Sequence, residues 1–198
     1  MSDYIQLAGI SGSLRKDSYN TMLLKAAAQL LPANVSMDIL SIADIPLYNA
    51  DLDLPAAKQR PEVVEHFRKM LADADGLLIS SPEYNYSIPG GLKNAVDWAS
   101  RGEDSPLLHK PVAVIGATTG LWGTARMQAA FHSVFLFLDM KPVYKPEVLV
   151  AQAEKKFDKK GNLIDETAKK LIKQKLEGLK DLIHLRSQVG DVLETKVL

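Results

Sequence analysis

Short, almost continuously apolar runs that alternate with helical stretches are the feature that most constrains the fold of this chain. The runs lie at 4–10, 35–42, 75–81, 111–117 and 145–151, and the helical stretches lie at 20–31, 61–73, 90–100, 123–138 and 165–186. A strand with both faces buried has this continuous apolar character, which is typical of a parallel sheet covered on both sides. The alternation predicts an α/β fold, a doubly wound five-stranded parallel sheet with helices on both faces.

The length and charge of the chain limit its organisation and its partners. With 198 residues, it is long enough for one domain with a two-sided core, so we expect residues 1–198 to form a single domain whose last helix and tail begin at about 165. The formal net charge is +0, with 46% hydrophobic and 24% charged residues, which gives no electrostatic reason to expect nucleic acid or a membrane as partner. We expect a small-molecule partner.

The sequence contains no cysteine, which excludes disulfides, thiolate catalysis, iron–sulfur clusters and cysteine-based zinc sites. Redox chemistry in this chain therefore needs a bound cofactor. The start, MSDYIQLAGIS, lacks the basic residues and long apolar stretch of a signal peptide, and no run reaches the roughly 20 apolar residues of a membrane span. We expect a cytoplasmic protein.

Two polar segments interrupt this pattern outside the strand ends. Residues 49–60 carry Pro55 and are predicted to form a surface excursion before the second helix. Residues 153–165 are predicted to form a charged turn or short hairpin with Gly161 and Asn162 at its tip, and a basic patch for nucleic acid is the alternative.

Two helices show informative apolar spacing. In the second helix, apolar residues recur three and four positions apart and predict one sheet-facing stripe, formed by Val63, Val64, Phe67, Met70 and Leu71. The fourth helix repeats apolar residues in the same way and predicts core or subunit interface; these are Met127, Phe131, Val134, Phe135 and Leu138.

The loop after the first strand, GISGSLRKDSYN at 9–20, holds more polar groups than a plain connection needs. It matches neither the Walker pattern G-x-x-x-x-G-K-[ST] nor the dinucleotide pattern G-x-G-x-x-G. Its hydroxyls, backbone amides and Arg15 lead into the positive end of a helix dipole, a set that suits a terminal phosphate such as that of flavin mononucleotide (FMN). The alternative is a turn whose Ser and Asn only cap the helix.

The loop after the third strand, SSPEYNYSIPGGLKNAVDW at 80–98, meets the first loop if the strands have the flavodoxin-like order 2-1-3-4-5. Its prolines stiffen the segment, and Gly90 and Gly91 allow close approach of the backbone. Tyr84 and Tyr86 offer ring faces, and Asn85 can hydrogen-bond the pyrimidine edge of a flavin. The alternative is a proline-rich turn with two surface tyrosines.

Together, GSLRKDSYN, SPEYNYSIPGGLKNAVDW and their spacing resemble the NADPH-dependent FMN reductase family, close to its chromate and quinone reductases, over about residues 4–150. The resemblance implies a flavodoxin-like fold, non-covalent FMN, NADPH or NADH as donor, and a homodimer or homotetramer with the flavin near a subunit interface. It further implies a set of cofactor-binding residues: Ser11, Ser13, Leu14, Arg15, Ser18 and Asn20 in the first loop, and Pro82, Glu83, Tyr84 and Asn85 in the second.

A third loop, GATTGLWGTAR at 116–126, follows the fourth strand and matches a Ser/Thr- and Gly-rich segment of the same family. The resemblance implies cofactor binding by Thr118, Thr119 and Gly120, while Trp122 departs from the small residues expected there. An ordinary strand-to-helix turn is the alternative.

Other chemistries fit less well. The four histidines show no metal-ligand spacing, and Ser11 and Ser13 lack the G-x-S-x-G context of a hydrolase nucleophile, so no metal and no acyl transfer are expected. A receiver domain needs acidic residues at the strand ends, where this chain has Ser and Thr.

The favoured hypothesis is an enzyme that moves hydride from NAD(P)H through FMN to quinones, chromate, azo compounds or free flavin. The flavin supplies the chemistry, so no catalytic side chain is assigned. The alternative is a flavodoxin-type electron carrier, which the neutral charge disfavours because carriers dock through surfaces of one sign.

Overall fold

The carboxyl ends of three neighbouring parallel strands form one edge of a sheet in this protein. The computed structural model describes residues 4–196, with side chains up to residue 188. The strands are β1 (Ile5–Ser11), β2 (Val35–Leu40), β3 (Gly76–Ser80), β4 (Pro111–Ala117), β5 (Lys141–Pro142) and β6 (Val148–Val150). The helices are α1 (Tyr19–Ala28), α2 (Glu62–Asp73), α3 (Gly90–Ala99), α4 (Ala125–Phe137) and α5 (Glu166–Lys196). The order β2-β1-β3-β4-β5, with every pairing parallel, confirms the predicted flavodoxin-like α/β fold.

Helices cover both faces of the sheet. The central strands β3 and β4 are buried along their whole lengths, as the continuous apolar runs predict. One apolar cluster joins the sheet to α2, α3 and α4, and the other joins it to α1 and α5. This double winding brings the loops after β1, β3 and β4 to one edge of the sheet.

The fifth strand position differs from the prediction of one strand at 145–151. Two short strands share it: Lys141 and Pro142 pair with the start of β4, and Val148 to Val150 pair with its end. Pro142 and Pro146 have no N–H to donate to a ladder, which explains the break between the two strands.

The last helix is longer than the predicted 165–186. α5 continues to Lys196, so most of the predicted tail is helical, and residues 197–198 lie outside the described residues. Among the described residues, no helix combines the length and the apolar character needed to cross a bilayer.

The excursion at 49–60 is only partly a surface segment. It contains a helical turn at Ala50–Leu52, but Asp53 and Arg60 are buried and paired, with Arg60 Nε 2.6 Å from Asp53 Oδ1. Burial alone raises the pKa of Asp53, but the hydrogen bonds from Arg60 and Leu54 and the guanidinium charge hold it below its usual value. The pair anchors a segment whose polar composition predicted only exposure.

The remaining local predictions are mostly confirmed. In α2, Val64, Phe67 and Leu71 are buried and Met70 is half-buried, but Val63 is 36% exposed and so lies outside the buried stripe. The hairpin at 153–165 forms with an antiparallel bridge between Phe157 and Leu163. In α4, three of the predicted apolar residues and Leu138 beyond its end are buried, and Val134 is partly buried against the core.

Candidate functional site

Main-chain hydrogen bonds hold the three loops side by side where β1, β3 and β4 end. Gly12 N donates to Ser80 O at 2.8 Å, and Ser81 N donates to Ile115 O at 3.1 Å. Thr118 N donates to Val150 O at 2.9 Å, which ties the third loop to β6. The polar segments that the sequence singled out therefore lie side by side along one edge of the sheet.

The first loop is shaped by its own hydroxyl groups. Ser18 caps α1, because its Oγ accepts a hydrogen bond from Asn20 N at 3.2 Å. Ser13 Oγ accepts from Arg15 N at 3.3 Å, and Ser11 Oγ lies 2.8 Å from Thr21 Oγ1. The loop therefore caps the helix, as the capping interpretation predicts, and it holds its hydroxyls beside the helix N-terminus. Phosphate binding by this loop stays a prediction.

Leu14 and Arg15 are the exposed part of this loop. Leu14 is 61% exposed, and the Arg15 guanidinium lies 6.0 Å from the Tyr19 ring centroid. Among the described side chains, no carboxylate forms an ion pair with Arg15. Its charge therefore remains available to an anion at the N-terminus of α1.

Asn20 has a different environment from that implied for a phosphate ligand. Its side chain is 2% exposed, and its amide makes two hydrogen bonds to the main chain of Ala117, each of 2.8 Å. Its carbonyl oxygen accepts from Ser80 Oγ at 2.8 Å. The side chain therefore connects loops rather than facing the cleft.

The second loop contains a tight two-residue hairpin turn. Tyr84 and Ser87 exchange main-chain hydrogen bonds of 3.1 and 2.9 Å, and Asn85 and Tyr86 have φ of 50° and 64°. Two consecutive positive φ values define a type I′ turn, in which Asn is favoured. The turn leaves Tyr84 51% and Tyr86 69% exposed, so both rings are accessible, as the sequence predicts.

Glu83, which the family resemblance implies as a cofactor-binding residue, caps α4. Its Oε2 accepts from Arg126 N at 2.9 Å and from Met127 N at 3.1 Å, and its Oε1 lies 3.3 Å from Arg126 Nη1. A carboxylate at a helix N-terminus satisfies free N–H groups and complements the dipole. Glu83 therefore fixes the second loop, which begins at Pro82, to the element that follows the third loop.

The third loop is open on its outer side. Thr118 Oγ1 accepts from Gly120 N at 3.3 Å, while Thr119 and Gly120 are exposed. Trp122 is 67% exposed, and its ring lies 5.3 Å from the Arg126 guanidinium, which lies 4.1 Å from the Tyr86 ring. Trp122 thus belongs to an exposed aromatic and arginine cluster beside the second loop.

The glycines of the site fall into two groups. A β-carbon at Gly12 or Gly116 would collide with Ser81 or Thr124 within the protein. A β-carbon at Gly90 would have no heavy atom within 4 Å, and at Gly120 only Thr118 Oγ1, at 3.7 Å, would be close. Neither Gly90 nor Gly120 has a positive φ, so backbone conformation does not require glycine there, and the open space shows that close packing does not require it either. Their open faces fit a flat cofactor that approaches the backbone.

Several site residues carried no clear signal in the sequence. Arg126 stacks between the second and third loops, and the buried Thr124 Oγ1 has no hydrogen-bond partner among the described residues. The surroundings of Arg126 and of Thr124 depend on where α4 begins relative to β3, and no local sequence pattern encodes that position. Within the described residues, no group of His, Asp or Glu side chains is arranged to hold a metal ion.

Comparison with known proteins defines the class. The structure of FerB, a flavoenzyme NAD(P)H:(acceptor) oxidoreductase from Paracoccus denitrificans, matches with a TM-score of 0.80 and 34% identity, over 91% of this chain and 97% of FerB. The fold is thus that of a flavodoxin-like oxidoreductase. The family model described as NADPH-dependent FMN reductase matches residues 5–155, and the chain belongs to that family, whose cofactors are FMN and NAD(P)H.

Two curated relatives extend this result. An NAD(P)H-dependent FMN reductase of Pseudomonas aeruginosa is 47% identical over 90% of this chain and 95% of its own length. A quinone reductase of Escherichia coli K12 is 42% identical over 84% of this chain and 88% of its own length. The resemblance found in the sequence is confirmed, and the substrates of such an oxidoreductase are small molecules.

Proposed function

We propose that this protein reduces quinones with electrons from NAD(P)H, using FMN held at the edge formed by the three loops. One observation carries the proposal: the ends of β1, β3 and β4 are tied together by hydrogen bonds while the N-terminus of α1 and the open faces of Gly90 and Gly120 remain on the accessible side. The quinone reductase among the relatives supports this class of acceptor.

In this proposal the first loop holds the FMN phosphate. Ser13, Ser18 and the backbone amides at the start of α1 lie where an anion is favoured, and Arg15 adds a charge. Leu14 covers the edge of the same loop next to Gly91, where a β-carbon would lie 3.6 Å from its Cδ1. Ser11 and Asn20 position this loop through Thr21 and Ala117.

The second and third loops enclose the ring system in this proposal. Pro82, Tyr84 and Asn85 lie on one side, and Thr118, Thr119 and Gly120 lie on the other, while Glu83 fixes their separation through the start of α4. FMN supplies the hydride and electron transfer when bound, so the side chains only bind, orient and exclude water.

The test is a pair of anaerobic spectra. The purified protein should release FMN and not FAD on chromatography, and NADPH under nitrogen should bleach the flavin absorbance. Addition of 1,4-benzoquinone should then restore it faster than chromate or an azo dye does. Recovery of FAD, or a flavin that NADPH cannot bleach, contradicts the proposal, and the latter result favours an electron carrier.

We also propose that the functional unit is at least a dimer, as the family resemblance implies. α4 exposes Leu136 (84%) and Phe137 (82%), more apolar surface than one sheet-facing stripe leaves on a helix. Light scattering at micromolar concentration checks this, and a fully active monomer contradicts it.

We further propose that residues 1–198 fold as one domain. Ile172, Leu176 and Leu179 of α5 belong to the same apolar cluster as Leu7 of β1, so the last helix shares the core of the sheet. A single calorimetric transition is expected, and two separable transitions contradict it. We propose a cytoplasmic location as well, which cell fractionation checks.

A further inference from the structure

A cavity of about 300 Å³ lies beside the break between β5 and β6 and reaches the end of the third loop at Ala125. Its walls come from one face of α4, from residues 142–147 and from α5. The apolar part of the wall includes Val114, Ala129, Phe135 and Leu149. The volume is at the lower end of the range for small-molecule sites, and the apolar lining suits the body of a compact organic molecule.

Lys175 of α5 forms the cationic part of this wall. Its side chain is buried, with a relative exposure of 2%. The ammonium donates hydrogen bonds to Val143 O at 2.7 Å and to Tyr144 O at 3.1 Å, both in the segment between β5 and β6. A lysine ammonium has three donors, so two carbonyls leave one hydrogen without an acceptor among the described residues.

The charge of Lys175 is not neutralised by a direct ion pair. Among the side chains that the structure describes, no carboxylate lies within ion-pair distance of it. Glu147 is the carboxylate whose charge acts on Lys175. It is more than half exposed at the rim of the cavity, and it pairs with Lys145 at 3.1 Å. Burial lowers the pKa of Lys175 to about 8, the response expected of a buried cation without a counter-ion.

Two further polar side chains of the wall, Gln128 and His132, contact neighbouring residues. Gln128 Nε2 donates to Val148 O at 3.1 Å, and the exposed His132 ring packs edge-on against Tyr144, with centroids 5.2 Å apart. The cavity therefore combines apolar walls with the buried positive charge of Lys175.

We propose that this cavity binds a small organic anion, a monocarboxylate with an apolar ring or chain, whose carboxylate pairs with Lys175. The carboxylate supplies the missing counter-charge in a low-dielectric site, where charge-assisted hydrogen bonds are strongest. The apolar body of the ligand packs against Val114 and Phe135. None of the residues assigned to the proposed flavin site lines this cavity, so failure of this proposal leaves the proposed function untouched.

The test uses benzoate as the probe and equilibrium dialysis on the FMN-loaded protein. We expect one benzoate per chain, with FMN retained. Lys175→Met removes the cation while keeping an unbranched side chain, and it should weaken benzoate binding by about tenfold or more. The matched control is Lys173→Met on the same helix, since Lys173 is exposed and does not line the cavity; its benzoate affinity should equal that of the wild type.

A second variant and a pH series keep the test decisive if Lys175→Met fails to fold. Ala129→Phe leaves Lys175 intact but fills the cavity from the exposed side of α4, and it should abolish benzoate binding. In the wild type, affinity should be constant from pH 6 to 7.5 and fall about tenfold per unit above pH 8, as the ammonium is lost. Absent binding, binding that releases FMN, or equal binding by wild type and Ala129→Phe overturns the proposal.

Discussion

Asn20 and Ala117 are joined by a closed pair of hydrogen bonds between a side-chain amide and a main chain. Asn20 Nδ2 donates to Ala117 O, and Asn20 Oδ1 accepts from Ala117 N, both at 2.8 Å. Asn20 lies in the first turn of α1, and Ala117 is the last residue of β4. Since Ser80 at the end of β3 also donates to Asn20 O, this one residue connects the starts of all three loops.

Replacing Asn20 should therefore reduce stability and cofactor affinity together. Asn20→Ala leaves the buried N–H and C=O of Ala117 without partners, which we expect to cost about 1 to 3 kcal/mol of unfolding free energy. FMN affinity should fall as well, because the first and third loops lose their connection. Urea unfolding of the flavin-free protein and FMN titration by fluorescence quenching measure the two effects.

Asn94 offers a matched control for this prediction. Its amide makes the same kind of paired contact, donating to Pro46 O and accepting from Tyr48 N, each at 2.8 Å, but it joins α3 to residues 46–48 and not one strand-end loop to another. Asn94→Ala should lose a similar amount of stability with little change in FMN affinity. If Asn20→Ala weakens FMN binding but leaves flavin-free stability intact, Asn20 contacts the phosphate directly, as the family resemblance implies.

Glu83 should act on the same site through α4. Glu83→Ala removes the acceptor of Arg126 N and Met127 N, so we expect a loss of about 1.5 to 3 kcal/mol of unfolding free energy and weaker FMN binding. Glu83→Gln keeps one oxygen acceptor without the charge and should lie between wild type and Glu83→Ala. Thermal and urea unfolding measure the stability, and fluorescence titration measures the affinity.

Glu62 is the control that distinguishes a capping hydrogen bond from the effect of a negative charge near a helix N-terminus. It lies exposed in the first turn of α2, where no side chain among the described residues caps the helix by a hydrogen bond. Glu62→Gln should change stability by no more than about 0.5 kcal/mol. A Glu83→Gln protein of wild-type stability that no longer binds FMN contradicts the capping role and assigns Glu83 to the cofactor.

Arg15 tests the phosphate site itself. If it pairs with the FMN phosphate, Arg15→Ala removes a charge-assisted contact of roughly 1.5 to 3 kcal/mol and weakens FMN binding by about one to two decades. Flavin-free stability should change by less than about 0.5 kcal/mol, because the side chain is exposed. Lys16→Ala, a change at the neighbouring exposed cation, is the control. Equal affinities of the Arg15→Ala protein and the wild type place the phosphate elsewhere.

The sequence predicted what depends on local pattern and periodicity. The apolar runs predicted the parallel sheet, and the flavodoxin-like order of its strands came from the family resemblance. Ser18 was recognisable as a cap because capping involves residues two positions apart. The break in the fifth strand was also accessible, since Pro142 and Pro146 cannot both serve one ladder. Lys175 lies four residues before Leu179 and three after Ile172, on the buried stripe of α5, so its burial could have been read from spacing.

What the sequence did not predict depends on pairs far apart in the chain. Asn20 meets Ala117 across 97 positions, and Glu83 meets Arg126 across 43. A polar loop residue looks the same whether it contacts a cofactor or another loop, so the sequence could not separate binding residues from positioning ones. The sequence predicted the three loops, but it did not predict which of their residues position the loops and which are free to contact a cofactor.

Lys175 makes the stability of the protein depend on pH in a direction opposite to that of most lysines. Burial lowers its pKa to about 8 from the ordinary 10.5, so between these values the folded chain has released a proton that the unfolded chain still binds. Stability contributed by this group therefore rises with pH across that window, by at most about 1.4 kcal/mol per unit. Below pH 8 both states carry the proton, and the cost of the buried charge is fully present.

The measurement is urea unfolding of wild type and Lys175→Met at pH 7, 8, 9 and 10. Subtracting the two curves cancels groups common to both proteins, which include Glu147, Lys145, His132 and Tyr144 around the cavity. The stability of the wild type relative to Lys175→Met should increase from pH 8 to 10, whereas the same difference for Lys173→Met should stay flat, because Lys173 is exposed. A constant difference for Lys175→Met means that the ammonium keeps its ordinary pKa and that its charge is already compensated.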